Sequence, residues 1–217
     1  MNAGRRFILV ATIAAAAPRL TQPAPLVDIK IVDPTIVIGL RYASSNNVAG
    51  RPLYSTGTPA LLRPEVAAQL KRAQTLLAPY QYRLKVWDAY RPPAVQLQLW
   101  QKLRSDDHVV DPRAGAASMH SWGVAVDVTL SDTWNNPVSM PSDFDDITPA
   151  AMWRYQGSDP AVRSHLRLLQ SAMAHAGFYG LRTEWWHFTS SDWQKYLPPD
   201  EVKRALEVLG THWEGQL

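Results

Sequence analysis

The chain has 217 residues, which fits one domain, and its 46% hydrophobic and 19% charged residues support a packed core and exclude an extended disordered chain. A net charge of +3 gives no basic surface for a polyanion, so no nucleic-acid partner is implied. The absence of cysteine removes disulfides and thiolate metal sites, leaving His, Asp and Glu as the donors for any metal.

The first 17 residues differ from the rest. Arg5 and Arg6 precede an apolar run from Phe7 to Ala17, the charge-then-apolar order of a secretory signal. The run is too short for a membrane span, which needs about 20 apolar residues. Residues 1–17 are therefore expected to be a signal peptide, cleaved among Ala14 to Ala17 or shortly after, leaving no stable membrane anchor. That places the mature protein in the periplasm or outside the cell, where lacking cysteine is no handicap. Residues 18–26 are proline-rich and read as a linker, and residues 27–217 as one domain.

"VDIKIV" (27–32) and "TIVIGLRYA" (35–43) are β-branched-rich and predict strands, and 44–60 is turn chemistry. Val66, Leu70, Ala73 and Leu77 recur at helical spacing behind Pro64, and Pro79 ends that helix. "YRLKVWDAY" alternates as a strand with Tyr82, Leu84 and Val86 on one face. Pro92 and Pro93 then open a second helix, followed by a polar loop over 105–117. A strand follows from about Val124 to Leu130. Residues 131–158 lack periodicity, and a loop of that length in a compact domain is often functional. Residues 159–177 predict a helix capped by Asp159 and stopped by Gly177, and 199–209 a last helix. "FYGLRTEWWHFTS" predicts strand–turn–strand. The order predicts an α+β single domain, a central, mostly antiparallel sheet flanked by helices.

Three stretches carry chemistry. In "SMHSWGVAVDVTL", Asp127 lies among Val124, Val126 and Val128, a costly place for a carboxylate without a cation. Gly123 lets the backbone bend before the strand, so His120 can swing toward the same point. The two make a partial metal site, but taken alone the pair reads more readily as a surface histidine and an ion-paired aspartate. "TEWWHF" adds His187 with Glu184 three residues earlier. A His, Asp, His set with an open fourth position is the catalytic arrangement of zinc, and Glu184 is available as base. On a flat strand these two residues face opposite sides, so the chain must bend around Trp185–Trp186 for both to serve one site. In "WDAYRPP", Arg91 sits at a strand end whose backbone is fixed by prolines, suited to an oxyanion. The remaining histidines, His108, His165, His175 and His212, are assigned no role.

Together "SMHSWGVAVD", "EWWH" and "WDAYRP" resemble the zinc D-alanyl-D-alanine dipeptidases known from vancomycin resistance. The S-x-H-x-x-G-x-A-x-D pattern is matched by Ser118, His120, Gly123, Ala125 and Asp127, and E-x-W-H by Glu184, Trp186 and His187. "LRYASSNN" (40–47) also resembles a family segment, and the likeness spans roughly residues 35–195. The resemblance implies one zinc ion per chain on His120, Asp127 and His187, in the sheet cleft. It implies Glu184 as general acid/base and Arg91 stabilising the tetrahedral intermediate. It also implies dipeptide contacts from Ser118, Tyr42 and Asp145, with Asp88 orienting Arg91. The implied activity is hydrolysis of D-Ala-D-Ala in cell-wall precursor turnover. A D,D-carboxypeptidase or peptidoglycan endopeptidase on the same scaffold, or a non-catalytic zinc-stabilised binding module, are the alternatives.

Overall fold

The computed structural model describes residues 25–103, 118–196, 198 and 200–208. The expected signal segment, most of the 18–26 linker, the polar loop over 105–117, His108 and His212 lie outside the described residues.

In chain order the elements are β1 (Val27–Asp28), α1 (Ile29–Val32), β2 (Val37–Ile38), β3 (Leu61–Leu62), α2 (Pro64–Leu77), β4 (Tyr82–Asp88), α3 (Pro93–Leu103), β5 (Ala125–Asp132), α4 (Pro160–His175), β6 (Phe178–Leu181), β7 (Glu184–Ser190) and α5 (Asp200–Val208). Five strands form one sheet in the order β2-β4-β5-β7-β6, and β1 pairs with β3 separately. β4, β5, β7 and β6 are antiparallel to their neighbours, while β2 joins β4 in parallel. This is the α+β, mostly antiparallel arrangement predicted from the sequence.

Helix α2 buries Val66, Leu70, Ala73 and Leu77, and α4 buries Val162, Leu166, Leu169 and Met173. Burying each of these larger side chains contributes about 1.5–3 kcal/mol. The two helices pack on each other, α2 also against β4 and α4 against β5 and β6. Asp159 caps α4 by accepting from the Ala161 and Val162 N–H groups. On the sheet, Leu84 faces Leu130 and Val86 faces Val128. Strand β5 is buried from Ala125 through Ser131, so both of its faces are covered. That explains the apolar run around Asp127: the strand is central, and the charge is inside.

Two predicted strands are shorter than expected. In 27–32 only Val27–Asp28 is strand, because the Asp28 carboxylate accepts from the Lys30 N–H at 2.9 Å and caps the helical turn α1. In 35–43 pairing with β4 stops after Ile38, and Arg41–Ala43 forms a 3₁₀ turn. The turn carries Tyr42 inward, where its carbonyl accepts from both Leu53 and Tyr54 N–H groups. β-Branched composition favours strand locally, but here the Asp28 cap and the burial of Tyr42 decide.

Candidate metal centre and pocket

The site forms where three connections meet at one end of β5. Between Val86 and Asp88 the β4/β5 register shifts, and Asp88 comes to lie opposite Asp127. His120 sits in the turn before β5. Gly123 closes that turn at φ +68°, and a Cβ there would meet Leu26 Cδ2 at 2.6 Å. The turn is fastened to the chain around Arg91 by three bonds. Ala89 O is 2.9 Å from His120 Nδ1, the Arg91 N–H donates to His120 O at 3.3 Å, and the Ser121 hydroxyl donates to Arg91 O at 2.8 Å. His120 and Arg91 are therefore placed relative to one another by backbone. The Ser118 hydroxyl accepts from the His120 N–H at 3.3 Å and steadies the turn from its other side.

The bend required near Trp185–Trp186 is present as a bulge. β6 and β7 keep register to Gly180↔Phe188, and then Leu181 pairs with Glu184. Trp185, Trp186 and His187 are the extra residues on β7, and they rotate the strand so that Glu184 and His187 line the same pocket. Glu184 Oε2 is 4.0 Å from His187 Nδ1.

His120 Nε2, His187 Nδ1 and Asp127 Oδ1 form a triangle with edges of 3.1, 3.1 and 3.3 Å. A tetrahedral ion with bonds of about 2.0–2.1 Å has ligand–ligand edges of roughly 3.3 Å, so the donors fit zinc without rearrangement. The proton placement agrees. His120 Nδ1 faces a carbonyl, which only accepts, so its proton is there and Nε2 offers a lone pair. Asp127 is 2% exposed and His120 3%. Burial pushes Asp127 upward, but the two imidazoles outweigh it and hold the carboxyl well below its ordinary range. Two buried donors and one half-buried donor, His187, converge here on a point suited to a cation.

Arg91 is held by more partners than its strand-end position suggested. Its Nε and one terminal nitrogen both donate to Asp88 Oδ2 at 2.8 Å, and Nη1 donates to Gln96 Oε1 at 2.9 Å. Nη2 is 3.7 Å from Asp127 Oδ2, and the guanidinium lies over the Tyr42 ring at 5.0 Å. Asp88, fully buried, also accepts from the Tyr54 hydroxyl at 2.5 Å. Burial opposes the charge on Arg91, but the surrounding acids and phenols keep it ionised.

These groups line a pocket of about 260 Å³ with Tyr42, Ser118, Asp145 and an apolar rim including Ile147 and Leu181. Of the three acids in "SDFDD", Asp145 faces Tyr42. It adopts φ +58°, accepts from the Tyr42 hydroxyl at 3.1 Å and from the Val48 N–H at 2.9 Å. Burial raises its carboxyl to about 6 against the pull of the Val48 N–H and Arg91. Asp143 pairs with Arg41, and Asp146 accepts from the Thr148 N–H. Burial likewise raises Glu184 to about 7, with His187 opposing it. A carboxyl near 7 is suited to exchanging protons at neutral pH.

Every residue that the sequence singles out for the site reaches this pocket or supports a side chain in it. The sequence reading does not single out Tyr54, Gln96 or Thr189. Thr189 lies two residues past His187 on one strand, so period-two spacing puts it on the same face and could have found it. Tyr54 lies in turn-rich sequence with no periodicity to mark it. His165 bonds Ser139 O and the Tyr82 hydroxyl, and His175 bonds Ser171 O, so neither joins the site.

Fold and site define a metallohydrolase-type centre: three convergent donors, a carboxyl beside them and a fixed cation. The D-ala-D-ala dipeptidase model of peptidase family M15 matches residues 22–203, and the chain belongs to that family. It is 32% identical over 169 residues to a D-alanyl-D-alanine dipeptidase of Escherichia coli, covering 78% of this chain and 86% of that one. The dipeptidase of Streptomyces coelicolor is 31% identical over 189 residues, covering 75% of this chain and 91% of that one. A vancomycin-resistance D,D-pentapeptidase solved with Zn(II) is 14% identical with a TM-score of 0.41, covering 74% of this chain and 86% of that one.

Proposed function

We propose that the chain is a zinc-dependent D-Ala-D-Ala dipeptidase acting outside the cytoplasm in cell-wall precursor turnover. The triangle of His120, Asp127 and His187 with edges of 3.1–3.3 Å beside Glu184 and Arg91 is the observation that carries it. Zinc held there supplies a Lewis acid for the scissile carbonyl and acidifies a water. Glu184, through a carboxylate oxygen, takes the proton of the attacking water and returns it to the leaving amine nitrogen. The Arg91 guanidinium, fixed by Asp88, meets the negative charge developing on the carbonyl oxygen. Asp145, held by Tyr42 and Val48, receives the substrate ammonium, and Ser118 offers a hydroxyl to the dipeptide.

Export is supported by Arg5, Arg6 and the apolar run to Ala17, and N-terminal sequencing of the cell-free protein tests it. No helix among the described residues is long and apolar enough to cross a membrane. A pocket of about 260 Å³ suits a dipeptide better than a peptidoglycan stem. Incubating the zinc-loaded protein with D-Ala-D-Ala, L-Ala-L-Ala and a stem pentapeptide decides between dipeptidase and carboxypeptidase. Preferential cleavage of D-Ala-D-Ala is expected, and faster release from the pentapeptide refutes the assignment.

A further inference from the structure

We infer that Thr189 is a positioning residue: its hydroxyl fixes the tautomer of His187 and so decides which nitrogen that ring presents to the metal. This rests on the metal reading of the site. Thr189 is 3% exposed, lines the pocket and shares a strand face with His187. Its Oγ1 is 3.0 Å from His187 Nε2, while His187 Nδ1 is 3.1 Å from both Asp127 Oδ1 and His120 Nε2. A neutral imidazole carries one proton. Held on Nε2 by Thr189, that proton leaves the Nδ1 lone pair facing the two other donors.

The two histidines solve the same problem with opposite nitrogens and different partners. His120 bonds the carbonyl of Ala89, which can only accept, so substitution of a side chain there does not alter its tautomer. His187 depends on a hydroxyl, which can donate or accept. For Oγ1 to accept from His187, its own proton must go elsewhere. Tyr179 is the register partner of Thr189 on β6, and its phenol is a neighbour toward which the Thr189 hydroxyl can turn. With His187 donating through Nε2–H, Thr189 Oγ1 is the acceptor at 3.0 Å and its own proton is free to point toward Tyr179. Without the hydroxyl, the His187 ring is free to carry its proton on Nδ1, pointed at the metal. Orienting partners of this kind typically change metal affinity by about 10–100-fold.

The test is zinc affinity by chelator competition on the full chain, independent of turnover. Thr189→Val keeps the β-branched shape and removes the hydroxyl, and zinc binding is expected to weaken about 10–100-fold. Thr189→Ser is expected to restore most of it, which a merely steric role does not predict. Long-range ¹H–¹⁵N correlation on the unsubstituted zinc-loaded protein is expected to show His187 protonated at Nε2, a measurement that stands even where the valine variant fails to fold. Unchanged zinc affinity in Thr189→Val, serine as poor as valine, or a bare Nε2 overturns the inference. If the unsubstituted protein takes up no zinc, the metal reading itself falls and this inference with it, a failure separable because it appears before any substitution.

Discussion

The ion pair beneath the pocket gives the sharpest prediction. Asp88→Asn preserves shape and volume but removes the charge that anchors Arg91. Asp88 is fully buried and Arg91 is 7% exposed, so water cannot replace the lost partner. At 2.8 Å and an effective dielectric constant of about 20, the attraction is roughly 6 kcal/mol before desolvation is subtracted. Breaking one side of such a buried pair costs about 3–5 kcal/mol, because the remaining charge stays buried. That is about a fifth or more of the roughly 5–15 kcal/mol that holds a typical domain together. Gln96 and Asp127, the latter 3.7 Å from Arg91, offset only part of it. Urea unfolding of the chelator-treated protein reads the loss without interference from metal binding. The companion Asp88→Asn/Arg91→Gln variant leaves no unpaired cation. It is expected to be more stable than Asp88→Asn alone, while both hydrolyse D-Ala-D-Ala about 10²–10³-fold more slowly for want of a positioned oxyanion donor. An Asp88→Asn variant within about 0.5 kcal/mol of the parent, or a double variant no more stable than the single, refutes the argument that Asp88 exists to hold Arg91.

The other site residues give separable outcomes. Glu184→Gln is expected to keep zinc, measured by metal analysis, and to lose about 10²–10⁴-fold in kcat, the usual scale of acid–base catalysis. His120→Ala is expected to lose the metal itself, and a chelator should abolish turnover of the parent until zinc is restored. Asp145 titrates at about 6, above its ordinary 3.8, so in that interval the folded protein binds more protons than the unfolded chain and its contribution to stability falls as pH rises. If its ionised form holds the substrate ammonium as proposed, KM should rise as pH drops below about 6. Asp145→Asn should flatten that profile and be uniformly weak; a KM independent of pH in the parent argues against the role.

The convergence of the candidate metal donors was legible because their signal is a contradiction within a few residues. Asp127 in a valine run cannot be buried without a cation, and the structure buries it with two imidazoles aimed at its oxygen. The helices were legible for a related reason: Val66, Leu70, Ala73 and Leu77 repeat within one element, and burial follows the repeat. What stayed hidden is set by contacts far apart in the chain. Tyr54 reaches Asp88 across 34 positions, and nothing in its turn-rich surroundings encodes that bond. The strand predicted over 35–43 failed because the two-residue pairing with β4 ends where Tyr42 must turn inward to meet Asp145, more than 100 positions away. The bulge in β7 joins the two cases. Sequence required a bend at Trp185–Trp186 if Glu184 and His187 were to cooperate, and β6 supplies it by skipping from Gly180 to Leu181 against Phe188 and Glu184. A regular β7 would send one of the two side chains to the far face of the sheet, so the departure from ideal pairing is what sets the carboxyl beside the metal donors.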